Sequence, residues 1–347
     1  MPRIEQRYID AVFYLYASEQ DAQEDARGGG TGFMVSVHEY GAMVSTIYAI
    51  TNAHVINGGA SVIRLNQSDG QADTIATDPQ TWFRHPDGDD VALLPLAIRR
   101  SDYAVNAIPS EWLVDPPRQR NHSMESLAAG DEIFYIGRST SLKSSQKDSV
   151  RPTVRFGNLM ATWTERVRDR PLGINQESFL VEARTRVGWS GAPVFQYVPY
   201  EYSWRGHMDG LRARSRHWES REGRLVSNPV VARGEDVLQV LGVSWGYLPH
   251  RGSVYDASGQ ALPQYVDENT GIMCVVPASK INDLLYHQDV VVLREHQTAE
   301  RSAEGDGETT AAVATTEPSE ESGGAPPFTR EEFIGALREV SPPKPST

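Results

Sequence analysis

The feature that most constrains this chain is a long series of short β-runs, each cut off by turn residues. From Tyr8 to about Val292, segments rich in Val, Ile, Tyr and Phe alternate with Gly, Pro, Asp and Asn. Residues 11–16, 32–37 and 46–51 open the series, and 61–65, 90–96, 132–137 and 154–160 continue it. Residues 179–183, 192–195, 237–243 and 272–277 close it. Strands this short and numerous predict an all-β fold, a barrel or a sandwich. No long stretch of 3.6-residue periodicity competes with them.

Two interruptions divide the chain. Residues 198–234 are rich in Arg, His, Ser and Trp and read as a polar insertion between two strands. Residues 296–327 hold Ala, Thr, Glu, Ser, Gly and Pro, with too few apolar side chains to fold alone, and read as a disordered acidic linker. Beyond it, 329–332 is a capping box, and Phe333, Ala336, Leu337 and Val340 recur at helical spacing. A short amphipathic helix is therefore expected over 328–341. Its apolar stripe suits docking on a protein partner at the end of the tether. Residues 278–286 predict another short helix at the end of the main domain, which spans 8–295.

The net charge of −13 is partly local. Ten acids against four bases give 296–347 a charge of −6, which leaves −7 for the remaining 295 residues. An acidic balance opposes nonspecific nucleic-acid binding, which depends on Lys and Arg displacing counterions from phosphates. Cys274 stands alone, so no intrachain disulfide is expected, and its apolar surroundings suit a small buried hydrophobe. The first residues contain no apolar stretch of the kind a secretory signal needs, and no run has the length of a membrane span. These features predict a reducing, cytoplasmic setting.

Three local sequences bear on chemistry. In Thr51-Asn52-Ala53-His54-Val55 a β-run ends in Ala-His. In Asp89-Asp90-Val91-Ala92-Leu93-Leu94 an acid directly precedes an apolar run. In Gly188-Trp189-Ser190-Gly191-Ala192-Pro193 a serine is bracketed by glycines. Alone, each is commonplace: a solvated histidine, a turn acid, a Gly-rich turn. Together they supply a nucleophile, a base and an anion to orient the base, as acyl transfer from an amide requires. Glycines at 188 and 191 permit a sharp turn that aims the N–H groups of Gly188 and Ser190 into one oxyanion hole.

These motifs, in the order His, Asp, Ser, resemble those of the chymotrypsin/trypsin-like serine proteases. Four further segments fall in the family's order: 30–33 upstream of the histidine, 154–158 opening a second barrel, 242–246, and 275–281. The resemblance covers about 12–285 and is nearest to disulfide-free bacterial trypsin-like peptidases. It implies two packed antiparallel Greek-key β-barrels with a short C-terminal helix, and a catalytic triad of His54, Asp90 and Ser190. Asp90 is preferred to Asp89 because it directly precedes Val-Ala-Leu-Leu. The resemblance also implies a polypeptide substrate laid against Ser244 and Gly246, with Trp245 as a wall and Arg184 at the floor of the primary specificity pocket. The alternative is a loop of different length with Arg184 solvated or paired with Glu182.

Two departures matter. Trp189 stands where zymogen-activated members carry an Asp, which opposes activation by N-terminal cleavage. Ala192 replaces a glycine. His85 reads as solvated. His207, Asp209 and His217 lie in the polar insertion without ligand spacing, so no metal or other cofactor is expected. A catalytically silent scaffold, or an enzyme that awaits a partner, are the competing functions.

Overall fold

The computed structural model describes residues 3–26, 29–38, 45–98, 101–114, 127–138, 149–169, 173–185, 188–198 and 237–298. The expected insertion after Val198, the linker beyond residue 298 and the helix over 328–341 lie outside them.

Two sheets carry the fold. The first contains β1 (Val12–Tyr16), β2 (Gly30–Val37), β3 (Thr46–Thr51), β4 (Val62–Asn66), β5 (Ala72–Ala76), β6 (Phe83–Arg84) and β7 (Ala92–Leu96). Its order is β5-β4-β1-β2-β3-β7-β6. A two-residue β8 (Ile108–Pro109) joins β2 in parallel, the one exception to the expected antiparallel pairing among the described ladders. The second sheet contains β9 (Glu132–Gly137), β10 (Thr153–Leu159), β11 (Glu165–Asp169), β12 (Ile174–Glu182), β13 (Pro193–Val198), β14 (Val237–Tyr255) and β15 (Ala261–Pro277). It runs β10-β9-β13-β14-β15-β12-β11, and a β10–β12 ladder closes six of these strands into a barrel.

Strands β1, β2, β3, β4, β7 and β9 read as nearly unbroken apolar runs because both of their faces are buried. Alternation then sorts the side chains between two cores. Phe13, Leu15, Met34, Ala92 and Leu94 fill the inside of the first sheet. Their neighbours Val12, Phe33, Val35 and Leu93 point the other way, into a layer shared with Phe134, Phe195, Val243 and Trp245 of the second barrel. Phe134 and Phe195 stack there at 4.7 Å. Cys274 is buried in this layer, the small-hydrophobe role expected of it. Tyr135, Leu159, Val181, Trp189 and Met273 fill the second barrel. The helices are short: α1 (Gln6–Ile9), α2 (Glu19–Glu24), α3 (Ala53–Asn57) and α4 (Ala278–Leu285), then α5 over 288–298. α4 falls where the sequence predicts it and buries Ile281, Leu284 and Leu285 against the shared layer.

β14 and β15 depart most from expectation. The apolar pattern predicts strands only over 237–243 and 272–277, yet the pair extends to 19 and 17 residues. Its outer half is polar, with Gly252, Pro249 and Pro263, residues that ordinarily signal a loop. Cross-strand pairing from Gly242↔Pro277 to Tyr255↔Ala261 sets the conformation there.

Candidate active site

The His54 motif follows β3, the Asp90 and Ser190 motifs lead into β7 and β13, and the β3–β7 ladder brings the first two together. β3 pairs β7 so that Thr51 faces Ala92. This register puts the residues just after β3 beside those just before β7. His54 sits in the first turn of α3, one step beyond the strand end read from sequence. The Asn52 side chain donates to the carbonyl of Asp90 at 2.7 Å and ties the two loops together. Asp90 holds His54 at two points. Its Oδ1 accepts the backbone N–H of His54 at 2.8 Å, and its Oδ2 lies 2.6 Å from the ring Nδ1. A carboxylate only accepts, so the ring proton sits on Nδ1 and the lone pair of Nε2 is left for another partner. The Asp90 side chain is 3% exposed and that of His54 19%, so the hydrogen bond between them is shielded from water.

Asp89 does different work. Its Oδ1 accepts from the Gln176 side chain at 2.8 Å, and its Oδ2 pairs with Lys280 at 2.9 Å and faces His85 Nδ1 at 3.3 Å. Burial works to lower the Lys280 pKa, but the hydrogen bond and charge of Asp89, with Glu177 and Asp283, outweigh it and hold the ammonium above its ordinary value. Gln176 of β12 also accepts the backbone N–H of Asp90 at 2.6 Å. It therefore bolts the Asp90 loop of the first sheet to the second barrel. His85 corrects a sequence expectation. It is buried rather than solvated, held between Asp89 and Asp283 by the loop that leads to Asp90.

Ser190 lies on a tight turn between two glycines with positive φ, Gly188 at 95° and Gly191 at 88°. A Cβ on Gly191 would sit 1.8 Å from the carbonyl oxygen of Thr31, so only glycine fits there. The turn is stitched to β2 through Thr31. The Thr31 N–H donates to the Ser190 carbonyl at 2.8 Å, and its hydroxyl donates to the Gly188 carbonyl at 2.7 Å. One buried residue thus fixes the carbonyls of both oxyanion-hole candidates. Thr51 donates to the Thr31 carbonyl, and the Arg138 N–H donates to the Thr31 hydroxyl. Arg138 is anchored in turn by Asp25 at 3.1 Å, the Ala26 carbonyl and the ring face of Tyr16. Burial pushes the Tyr16 phenol up to about 12, with Arg138 opposing the rise and the hydrogen bond to Asp25 adding to it. Among the described residues, neither the Gly188 nor the Ser190 N–H donates a hydrogen bond. The Ser190 hydroxyl donates to the Trp245 carbonyl at 3.4 Å, not to His54.

Trp189 plugs the second barrel from beneath this turn. It is fully buried, edge-on to Tyr135 at 4.9 Å, with the Arg155 guanidinium 5.3 Å from its ring centre. An apolar plug thus stands where an ion pair was expected to be missing. The Ala192 methyl is buried beside it without disturbing the turn: Ala192 N–H still bonds the Trp189 carbonyl. Removing the plug leaves a large cavity, so Trp189→Ala should cost about 3–5 kcal/mol of stability, read by denaturant unfolding.

The expected substrate residues are redistributed by a β-bulge between Ser244 and Gly246. Ser244 does not offer its backbone to a ligand, because its N–H and C=O are taken by Ala192 and Gly191. Trp245 is not a wall. Its indole is 2% exposed in the shared core and donates to Ser178 at 2.9 Å. Gly246 is half-buried, with open space where a side chain would be. Arg184 is exposed, the solvated alternative, and its carbonyl accepts from Tyr135. Sequence reasoning missed Thr31 and Gln176. Gly30-Thr31-Gly32 stands out as a motif, but the glycines, not the threonine, carry the signal. Gln176 has no local signal.

The order of strands, with a closed six-stranded barrel beside a second sheet, defines a mostly-β, chymotrypsin-like fold. Residues 30–198, from β2 to the end of β13, match the family model of the trypsin-like peptidase domain. These findings support a trypsin-like serine protease family for residues 30–198. Among solved structures it is similar to human heparin binding protein, at 12% identity and a TM-score of 0.41, over 82% of this chain and 93% of that one. An atomic-resolution structure of HBP gives 12% identity and a TM-score of 0.39 over the same shares. A mutant of the human protein gives 12% and 0.38, over 82% and 92%. No curated protein matches the sequence.

Proposed function

We propose that this protein is a serine endopeptidase that hydrolyses peptide bonds through an acyl-enzyme. Ser190 is the nucleophile, His54 the general base and then acid, Asp90 the orienting acid, and the N–H groups of Gly188 and Ser190 the oxyanion hole. The observation that carries this reading is the two-point grip of Asp90 on His54, together with a glycine-flanked serine whose turn leaves the Gly188 and Ser190 N–H groups without an acceptor among the described residues. In the first half-reaction Ser190 Oγ bonds to the carbonyl carbon while its proton passes to His54 Nε2. The oxyanion rests on the two N–H groups. Collapse breaks the C–N bond, and the proton on Nε2 goes to the departing amine. Water then repeats the sequence against the ester and frees Ser190. The buried single Cys274 suits a reducing, cytoplasmic setting.

A second reading is favoured by one observation, the bond from Ser190 to the Trp245 carbonyl. The hydroxyl has to turn from that carbonyl to reach His54. If substrate alone does not turn it, the enzyme is a partner-activated one, and if nothing does, the fold is a scaffold. Labelling of the isolated chain by a small serine-directed phosphonate separates these readings. One adduct per chain on Ser190 supports the competent enzyme. Labelling only with a partner present supports the regulated form. No labelling under any condition overturns the proposal.

Thr31 is a positioning residue in this scheme. Thr31→Val keeps the shape and removes the hydroxyl, so the Gly188 carbonyl loses its donor and the Arg138 N–H its acceptor. Its kcat should fall about tenfold to a hundredfold with KM little changed, less than the loss of a direct oxyanion donor. Thr31→Ser should recover most of it. An equal loss in both variants would assign Thr31 a packing role only.

A further inference from the structure

Asp90 is held from two sides of the molecule. From the first sheet come the Asn52 side chain, which donates to its carbonyl at 2.7 Å, and His54, which takes both carboxylate oxygens. From the second barrel comes Gln176 of β12, whose Oε1 accepts the Asp90 N–H at 2.6 Å. Gln176 is 1% exposed, so both ends of its amide need partners inside the protein. Its Nε2 donates to Asp89 Oδ1 at 2.8 Å and to the carbonyl of Glu177 at 2.9 Å. These bonds permit one orientation only. A flipped amide would set its NH2 against the Asp90 N–H and its oxygen against the Asp89 carboxylate. Asp89 is fixed in turn by Lys280 of α4 at 2.9 Å. The same glutamine reaches toward the serine. Its carbonyl accepts from the Ser178 hydroxyl at 3.1 Å, Ser178 accepts from the Trp245 indole at 2.9 Å, and the Trp245 carbonyl accepts from Ser190 at 3.4 Å.

We infer that Gln176 is a positioning residue for the reaction: it aims the Asp90 loop from the opposite barrel, so that Asp90 and His54 are in register only while the two halves of the molecule are docked. This rests on His54 acting as the base and Asp90 as its orienting acid. Asp90 Oδ2 and His54 Nδ1 are 2.6 Å apart, a short bond with little slack. A displacement of about 1 Å in such a pair can cost about a hundredfold in rate. Asn52 and His54 belong to the same half of the molecule as Asp90 and move with it, whereas Gln176 ties it to the other half. Gln176→Glu shows what the amide supplies. One oxygen of the new carboxylate would still accept the Asp90 N–H, but the other would lie where Nε2 now meets Asp89 Oδ1. Two carboxylates that close cannot both be ionised without a large cost. Lys280 and His85 face Asp89 on its other side, with Glu177 and Asp283 beside Lys280, and Asp90 and His54 lie across the loop. A proton shared between the new carboxyl and Asp89 restores the donor, so the aim returns as pH falls and is lost as pH rises.

The test uses the full chain with nitrophenyl acetate as substrate. Gln176→Met keeps the side-chain volume and removes both polar ends. Its kcat should fall about tenfold to a hundredfold while KM stays within about twofold. Gln196→Met is the control. Gln196 is a buried glutamine of the same barrel, but its Nε2 holds Asp131, at 2.7 Å, rather than the Asp90 loop. Its kcat should stay within about twofold of wild type. Equal losses in the two variants, or a folded Gln176→Met with wild-type kcat, overturn the inference. Gln176→Glu adds a reading that lost packing cannot give. Its kcat, as a fraction of wild type at each pH, should rise at least about fivefold from about pH 8 to about pH 6, since the titration of His54 is common to both chains and divides out. A flat ratio overturns the inference, and this variant decides should Gln176→Met not fold. Failure of the wild type to hydrolyse the ester counts against the nucleophile and base, not against the aim of Asp90, which proton NMR reads without catalysis. The far-downfield signal of the His54 Nδ1–H should move or vanish in both Gln176 variants above neutral pH, and an unchanged signal overturns the inference.

Discussion

Ser190→Ala is expected to lower peptide hydrolysis by about five to six orders of magnitude, because it removes the oxygen on which the acyl bond would form. The substitution removes one oxygen from a half-buried side chain. Its hydrogen bond, to Trp245 at 3.4 Å, is long, so the fold loses little. The turn keeps its shape because glycines 188 and 191 and the three bonds from Thr31 and Gly191 do not involve the hydroxyl. Circular dichroism and the unfolding midpoint should match the wild type. Hydrolysis that survives in a preparation free of contaminating protease would falsify the nucleophile assignment.

Asp90→Asn should cost about ten-thousandfold in kcat, and the geometry says how. The His54 backbone N–H donates to Oδ1 of Asp90, so an asparagine there must keep its carbonyl oxygen at that position. Its NH2 then occupies the place of Oδ2, 2.6 Å from the ring Nδ1. Facing a donor, Nδ1 must become the acceptor, and the ring proton moves to Nε2. His54 can no longer accept the Ser190 proton. Asp89→Asn is the control. Asp89 touches Gln176, Lys280 and His85 but not His54, so kcat should stay within about tenfold of wild type. Equal losses at the two positions would show that both act through the Asp90 loop rather than through the imidazole.

The all-β class was legible because the strands are buried on both faces and so appear as dense apolar runs. The three motifs were legible because turn chemistry is local: Gly188 and Gly191 mark the sharp turn, and an acid before Val-Ala-Leu-Leu marks the start of β7. What the sequence hid depends on long-range pairing. The outer ribbon holds polar residues, Gly and Pro, and becomes strand only because residues 247–255 meet 261–273. The Ser190 turn takes up the Ser244 backbone and a bulge falls at Trp245, neither of which motif spacing encodes. His85 looked solvated because its neighbours are Pro, Asp and Gly; Asp283, on α4, comes from almost two hundred residues away.

The outer ribbon and the backbone that pins the Ser190 turn belong to one strand, β14. Its Trp245 carbonyl holds the resting hydroxyl, and its Ser244 backbone pins the turn.

Pre-steady-state kinetics with a nitrophenyl ester reads whether Ser190 carries the acyl group. A burst of about one nitrophenolate per chain is expected, followed by slower turnover, with the acyl mass found on Ser190 after acid quench. Ser190→Ala should show neither. Turnover without a burst, or an acyl group recovered on a different residue, contradicts the assignment of Ser190.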